Sequence, residues 1–520
     1  MRCSQFCFNH VLPITILVIS TTCVSLDIGR SPTILAASIQ DHQGDDHLRV
    51  VPADPVTHSR TGQFNGKSIS YEVTAGTLPV VDEQGKTLAE LFYVYYRQLD
   101  IPDSERRPLT FSFNGGPGSS SVWMHLGYTS PRKLKIDPEG FPIQPFGVVD
   151  NPDSILDVTD LVYVDPVNTG FSRPTAGVDP AQFFGVQNDI TYLAAWIERF
   201  VSIHGRWRSP LFLKGESYGT TRVAGLSQRL QQAHRLFVDG VMLVSPTEMG
   251  LERADIVKAA LLLPHYTATA WYHQQLVPEL QQQDLEQILA EVEQFALEQY
   301  LPALARGNSL PVERQQEMAS AVARFAGVTP TFVQNHNLMV PISAWRKELL
   351  REQRLTVGRL DARYRGIDRD AAGTVYDYDP AMSAWNQAFT PAINHYLREE
   401  LQFNPSIPYN IFGSVSPWDR SGDRTAESLR RSMAENPWLK VLVQSGYYDG
   451  GTDYFSAKYT LWNMDRSGQL ADRMFFKTYR SGHMMYLRAE DMPTSNQHLR
   501  EFILDAIPTE NDPARYQLNR

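Results

Sequence analysis

Five residues constrain the chain more than any others. Gly215-Glu216-Ser217-Tyr218-Gly219 follows the short apolar run at 211–213 and precedes a stretch of helical character. A serine at such a strand-to-helix turn is pushed out of line with the backbone, and only flanking glycines leave room for the bend. Similar short apolar runs occur at 109–113, 161–164 and 241–244, with amphipathic stretches between them. One of these, 186–201, carries Val186, Ile190, Leu193, Ala194, Ile197 and Val201 on one face of a helix. Short apolar strands alternating with helices predict a mostly parallel sheet covered on both faces. Segments 68–73 and 91–96 read as strands parted by a turn at 83–86, and 441–444 and 474–479 read as two late strands.

The rest of the 520 residues divides around that frame. Arg2 followed by the apolar run 11–19 and small residues at 20–25 reads as a signal peptide over 1–25. The run is shorter than the roughly 18 to 20 residues that cross a bilayer, so no stable membrane insertion is expected after its removal. The protein is then exported, periplasmic or secreted. Cys3, Cys7 and Cys23 all lie in this segment, so the mature chain is expected to hold no disulfide. Residues 26–60 are polar and read as a flexible leader. Residues 61–250 form the first part of the sheet domain, 251–400 a mainly helical insertion, and 401–520 the second part. Within the insertion, Leu285, Ile288, Leu289, Val292, Phe295 and Ala296 recur at helical spacing behind Asp284, a candidate N-cap. A net charge of -10 without a basic run gives no reason to expect nucleic acid as a partner. No Cys/His cluster has zinc spacing, and no metal or organic cofactor is expected.

Several loops carry residues suited to acyl transfer. The serine hydroxyl of the turn is the candidate nucleophile. Asn114-Gly115-Gly116-Pro117-Gly118 ends an upstream strand, where glycines let backbone N–H groups approach a developing oxyanion. Gly116 is the candidate donor from that loop, and Tyr218, next to the nucleophile, is the second. An acid after a late strand and a histidine after the next complete the order serine, acid, histidine. Asp449 follows the strand at 441–444, with Asp453 as the rival acid. His483 follows the strand at 474–479 and is the candidate base.

These segments together resemble the serine carboxypeptidase family, whose fold is the α/β-hydrolase fold. The resemblance is carried by 114–120, by 161–165 with Gly170-Phe171-Ser172, by 215–219, by 441–449 and by Gly482-His483-Met484. It extends over about residues 65 to 505, weakly in the helical insertion, which in that family caps the active site. It implies that Asn114, Gly115 and Glu216 bind the substrate's C-terminal carboxylate. Two carboxyl groups at hydrogen-bonding distance cannot both be ionised cheaply, so one carries a proton and acid favours binding. The chain departs from the family pattern at Ser112, where a Trp is common, at Ser119, where a disulfide-forming Cys is common, and at Met485-Tyr486, where Val-Pro is usual.

The expected activity is therefore a serine-type carboxypeptidase acting on peptides with a free C-terminus through an acyl-enzyme. An esterase or acyltransferase on the same fold and triad is the alternative, and a silent envelope binding protein the alternative of another class. Oligomeric state and side-chain preference are not legible.

Overall fold

The computed structural model describes residues 54–508, 511 and 513. The signal segment 1–25 and most of the expected leader lie outside the described residues. Nine strands form the path of the central sheet. They are β1 (Val56–Phe64), β2 (Lys67–Val81), β3 (Thr87–Gln98), β4 (Leu109–Phe113), β5 (Asp160–Val164), β6 (Leu211–Glu216), β7 (Gly240–Val244), β8 (Lys440–Gly446) and β9 (Met474–Tyr479). Their order is β1-β2-β3-β5-β4-β6-β7-β8-β9, and Arg173–Pro174 adds a tenth strand against β3. The pairings β1·β2, β2·β3 and β3·β5 are antiparallel, and all pairings from β5 through β9 are parallel.

Why this sheet is buried on both faces follows from its strands. In β5, Val162 and Val164 enter one apolar cluster while Leu161 and Tyr163 enter another on the opposite face. Period-two alternation sends neighbouring residues to opposite sides, so a continuous apolar run needs cover on both. On one face lie α1 (Val186–Ile203) and α2 (Tyr218–Arg229), with Trp196, Phe200, Val223 and Leu226 in the cluster.

The insertion supplies α3 (Asp255–Tyr272), α4 (Leu285–Phe295), α5 (Val312–Ala326) and α6 (Pro380–His395). Asp284 caps α4 by accepting from the Glu286 N–H at 3.1 Å, which satisfies a donor the helix itself leaves open. Leu285, Ile288, Leu289, Val292 and Phe295 are buried in a third cluster that includes Tyr447, Tyr448 and Phe455 from beyond β8. The insertion therefore packs against the end of the sheet where β8 releases its chain. It also contains a two-residue antiparallel ladder, Thr356–Val357 with Arg365–Gly366, that the helical reading of 251–400 did not foresee. The chain is completed by α7 (Thr425–Glu435), α8 (Tyr454–Met464) and α9 (Asp491–Ala506). Phe502 of α9 meets Phe212 on the other face of the sheet.

One boundary is corrected. The leader was expected to run to residue 60, yet β1 begins at Val56. Its half-buried positions include His58 and Arg60 rather than large apolar residues, which hid the strand. Those side chains reach the carbonyls of Leu401 at 2.9 Å and Glu400 at 2.7 Å. Among the described residues no helix is long and apolar enough to cross a membrane.

Candidate active site

Ser217 sits between the end of β6 and the first turn of α2. Its backbone is held at φ 59 and ψ -127, a region costly for a residue with a side chain and tolerated when the surroundings enforce it. The surroundings do so here. The Ser217 N–H donates to the Val244 carbonyl of β7 at 3.0 Å, and its carbonyl accepts from Thr220 at 2.9 Å. A Cβ on Gly215 would stand 2.1 Å from the Gly219 carbonyl oxygen, so the turn closes only with glycine there.

The glycine-rich loop after β4 lies directly against this turn. A Cβ on Gly115 would come within 2.4 Å of the Tyr218 nitrogen. Neither the Gly116 nor the Tyr218 amide donates to another protein group among the described residues. Asn114 is fully buried. Its Oδ1 accepts from the Met124 N–H at 2.9 Å, and its Nδ2 donates to Glu216 Oε2 at 2.9 Å. Its carbonyl accepts from Arg222, whose Nε is paired with buried Asp189 at 2.7 Å. That pair, absent from the sequence reading, ties the loop to α2.

Asp449 and His483 meet across the ends of β8 and β9. Asp449 Oδ2 and His483 Nδ1 are 2.7 Å apart, and both residues are buried. The same carboxylate accepts from the Gly451 N–H at 2.8 Å, the Thr452 N–H at 3.1 Å and the Thr452 hydroxyl at 2.7 Å. Burial alone would raise its pKa, but the His483 charge and these hydrogen bonds hold the carboxyl below the ordinary value. For His483 burial pulls down, while the charges of Asp449 and Glu216 outweigh it and the pKa is raised. The rival Asp453 does something else. It caps α8, accepting from the Ser456 N–H at 2.8 Å, and burial pushes its carboxyl up to about 6.

The histidine loop is fixed by the insertion. The His483 N–H donates to the Leu360 carbonyl at 2.7 Å, and the His483 carbonyl accepts from the Ser245 hydroxyl at 2.8 Å. Leu360 sits in the loop that the two-residue ladder closes. The insertion thus holds the backbone at His483.

Ser217, His483, Asn114, Gly115, Gly116 and Glu216 line one cavity of about 440 Å³. Trp123, Met382, Trp385, Phe412, Val415 and Met484 give that cavity apolar walls. A second cavity of about 590 Å³ also borders Ser217 and Gly116, with Tyr218, Thr247, Glu248 and Arg253 among its lining. Arg359, exposed on the cap loop, borders both. Glu216 is buried, and its Oε2 accepts from the Tyr486 hydroxyl at 2.7 Å as well as from Asn114. Its Oε1 is 4.0 Å from His483 Nε2. Burial raises the Glu216 pKa against the opposing influence of His483, Tyr486 and Asn114. Sequence reasoning missed Tyr486, Thr452 and Arg222, and the one signal near Tyr486 was its departure from the family pattern.

A mostly parallel sheet whose strand β6 feeds a serine on a tight turn into α2, with acid and histidine on later strand ends, defines the α/β-hydrolase fold. The family model described as serine carboxypeptidase matches residues 64–294. Serine carboxypeptidase-like protein 30 of Arabidopsis thaliana is 29% identical over 164 residues, 31% of this chain and 31% of its own length. The pheromone-processing carboxypeptidase KEX1 of Zygosaccharomyces rouxii is 27% identical over 174 residues, 33% of this chain and 24% of its own length. The chain thus spans about a third of the length of the curated relatives it matches. A crystal structure of a prohormone-processing carboxypeptidase from Saccharomyces cerevisiae aligns with a TM-score of 0.49 at 12% identity, covering 84% of this chain and 91% of that one. The chain is thus similar to serine carboxypeptidases over residues 64–294. The family match stops short of Asp449 and His483, of which His483 lines the same cavity as Ser217 and Asp449 is bonded to it from behind.

Proposed function

We propose that the protein is an exported serine carboxypeptidase. The observation that carries this reading is the buried Asn114–Glu216 pair, bonded at 2.9 Å, in the wall of the cavity that also holds Ser217 and His483. An amide donor beside a carboxyl with a raised pKa suits a bound carboxylate, since a protonated Glu216 donates where an ionised one repels. Asn114, the Gly115 N–H and Glu216 would hold the peptide's terminal carboxylate.

Ser217 Oγ then attacks the last peptide carbonyl while His483 Nε2 takes its proton. Asp449 keeps the His483 Nδ1–H in place and stabilises the imidazolium. The Gly116 and Tyr218 amides receive the oxyanion. Collapse breaks the C–N bond, and His483 returns the proton to the departing amine. Water repeats the sequence on the Ser217 acyl ester and releases the shortened peptide.

The test compares a peptide with a free C-terminus and its amidated twin across pH. The free peptide should be cut far better, with its KM lowest in acid and rising as Glu216 ionises. Equal handling of both peptides at every pH would remove the carboxylate site and leave an esterase or acyltransferase in its place.

A further inference from the structure

Tyr486 carries a role that the hydrolytic machinery leaves unassigned. It is fully buried, and its ring lies face to face on Tyr128 with centroids 4.4 Å apart and planes within 10°. Tyr128 is itself anchored, its hydroxyl donating to Gln444 at 2.9 Å. The Tyr486 ring is therefore clamped, and its hydroxyl delivers one hydrogen bond, to Glu216 Oε2 at 2.7 Å. The second donor on that oxygen is equally determined. A backbone N–H can only donate, so the Met124 contact fixes which end of the Asn114 amide is oxygen and turns Nδ2 toward Glu216.

Two donors thus converge on Oε2, and none of the described protein donors reaches Oε1 within 3.5 Å. A neutral carboxyl has one carbonyl-type oxygen and one hydroxyl oxygen. The oxygen that accepts twice is the carbonyl type, which leaves the proton to the other. We infer that Tyr486 is a positioning residue that places the Glu216 proton on Oε1, the oxygen facing His483 and the cavity, so that Glu216 presents a donor to a substrate carboxylate. This rests on the carboxypeptidase reading. A carboxylate accepts only, so a proton held on Oε2 would leave Oε1 with nothing to offer it. The groups that act on Glu216 are His483, Tyr486, Asn114 and Asp449, and buried Lys214 and Tyr128 also feel its charge. Among the described residues only Tyr486 and Asn114 touch the carboxyl by hydrogen bond.

The experiment is Tyr486→Phe, which keeps the stacked ring and removes the hydroxyl. Two changes are expected for a free C-terminal peptide. Its KM in acid should rise roughly three- to tenfold, the factor of one lost neutral hydrogen bond, and by more than kcat falls. The pH at which KM climbs should also move upward, because the lost donor had favoured the ionised carboxyl. The gap in KM between free and amidated peptides should narrow accordingly. In a Glu216→Gln background the same substitution should no longer move the pH profile, since Gln holds no proton to place.

A KM profile in Tyr486→Phe that superimposes on that of the unsubstituted enzyme would overturn the inference. So would an equal fall in kcat toward free and amidated peptides with their KM ratio preserved, which marks a purely structural ring. Failure of the carboxypeptidase reading is distinguishable, because it appears in the unsubstituted enzyme as equal treatment of the two peptides.

Discussion

Asp449→Asn isolates the contribution of the acid without changing its shape. In the structure Oδ1 accepts from the Gly451 and Thr452 amides, and an asparagine oxygen can keep both bonds. Oδ2, by contrast, lies 2.7 Å from His483 Nδ1, and an amide there offers hydrogens where an acceptor is needed. The imidazole must then present its own lone pair at Nδ1 and carry its proton on Nε2, which cannot accept from Ser217. The charge is lost as well. At an effective dielectric of 20, unit charges 2.7 Å apart attract by about 6 kcal/mol, or roughly four decades in rate. The amide dipole recovers part of this, so kcat should fall roughly a thousand- to ten-thousandfold.

Asp453→Asn is the control. Asparagine caps helices about as well as aspartate, and the bond to the Ser456 N–H survives, so turnover should change by less than about threefold. Both variants are assayed on one peptide at one pH, with single-turnover acylation to separate chemistry from release. If Asp449→Asn stayed within tenfold of the parent, or if Asp453→Asn were the more damaged, the assignment of the acid would be wrong.

Ser217→Ala should lose nearly all turnover and all labelling by a fluorophosphonate while keeping its thermal midpoint, and normal peptidase activity in that variant would exclude Ser217 as nucleophile. For an ester lacking a carboxylate, kcat/KM should fall as pH is lowered, because His483 must be neutral to act. Its pKa is raised in the empty site, so the midpoint belongs above the ordinary 6.5, and a midpoint below 6 would contradict the Asp449 and Glu216 influence on the ring.

The parallel sheet was legible because its strands are short, apolar on both faces and followed by glycine-rich or polar loops, as at 109–118 and 211–219. Ser217, Asp449 and His483 stood out as candidates because each follows such a strand, a local signal. What was illegible depends on distance along the chain. The bond from Tyr486 to Glu216 spans 270 residues, and that from Leu360 to His483 joins the insertion to a late loop. No periodicity encodes such contacts. Strand β1 was missed for a different reason, since His58 and Arg60 face inward and satisfy their polar tips on the carbonyls of residues 400 and 401.

The 4.0 Å between Glu216 Oε1 and His483 Nε2 would link substrate binding to catalysis in the proposed enzyme. Burial raises the proton affinity of Glu216, and the charges of Asp449 and Glu216 raise that of His483, so each group's protonation bears on the other's. In the empty site the charges of Asp449 and Glu216 favour a proton on His483. A terminal carboxylate entering the proposed Asn114 site would reverse that preference. It would repel an ionised Glu216 and accept from a protonated one, which would favour the proton on Glu216 and a neutral His483. In a carboxypeptidase, a peptide with a free terminus would thereby prepare the base that cuts it, whereas an ester or amide would have no charge with which to move the proton. Acid would then favour binding of the peptide without silencing the histidine to the same degree, because the substrate's own charge would draw the proton from His483 toward Glu216.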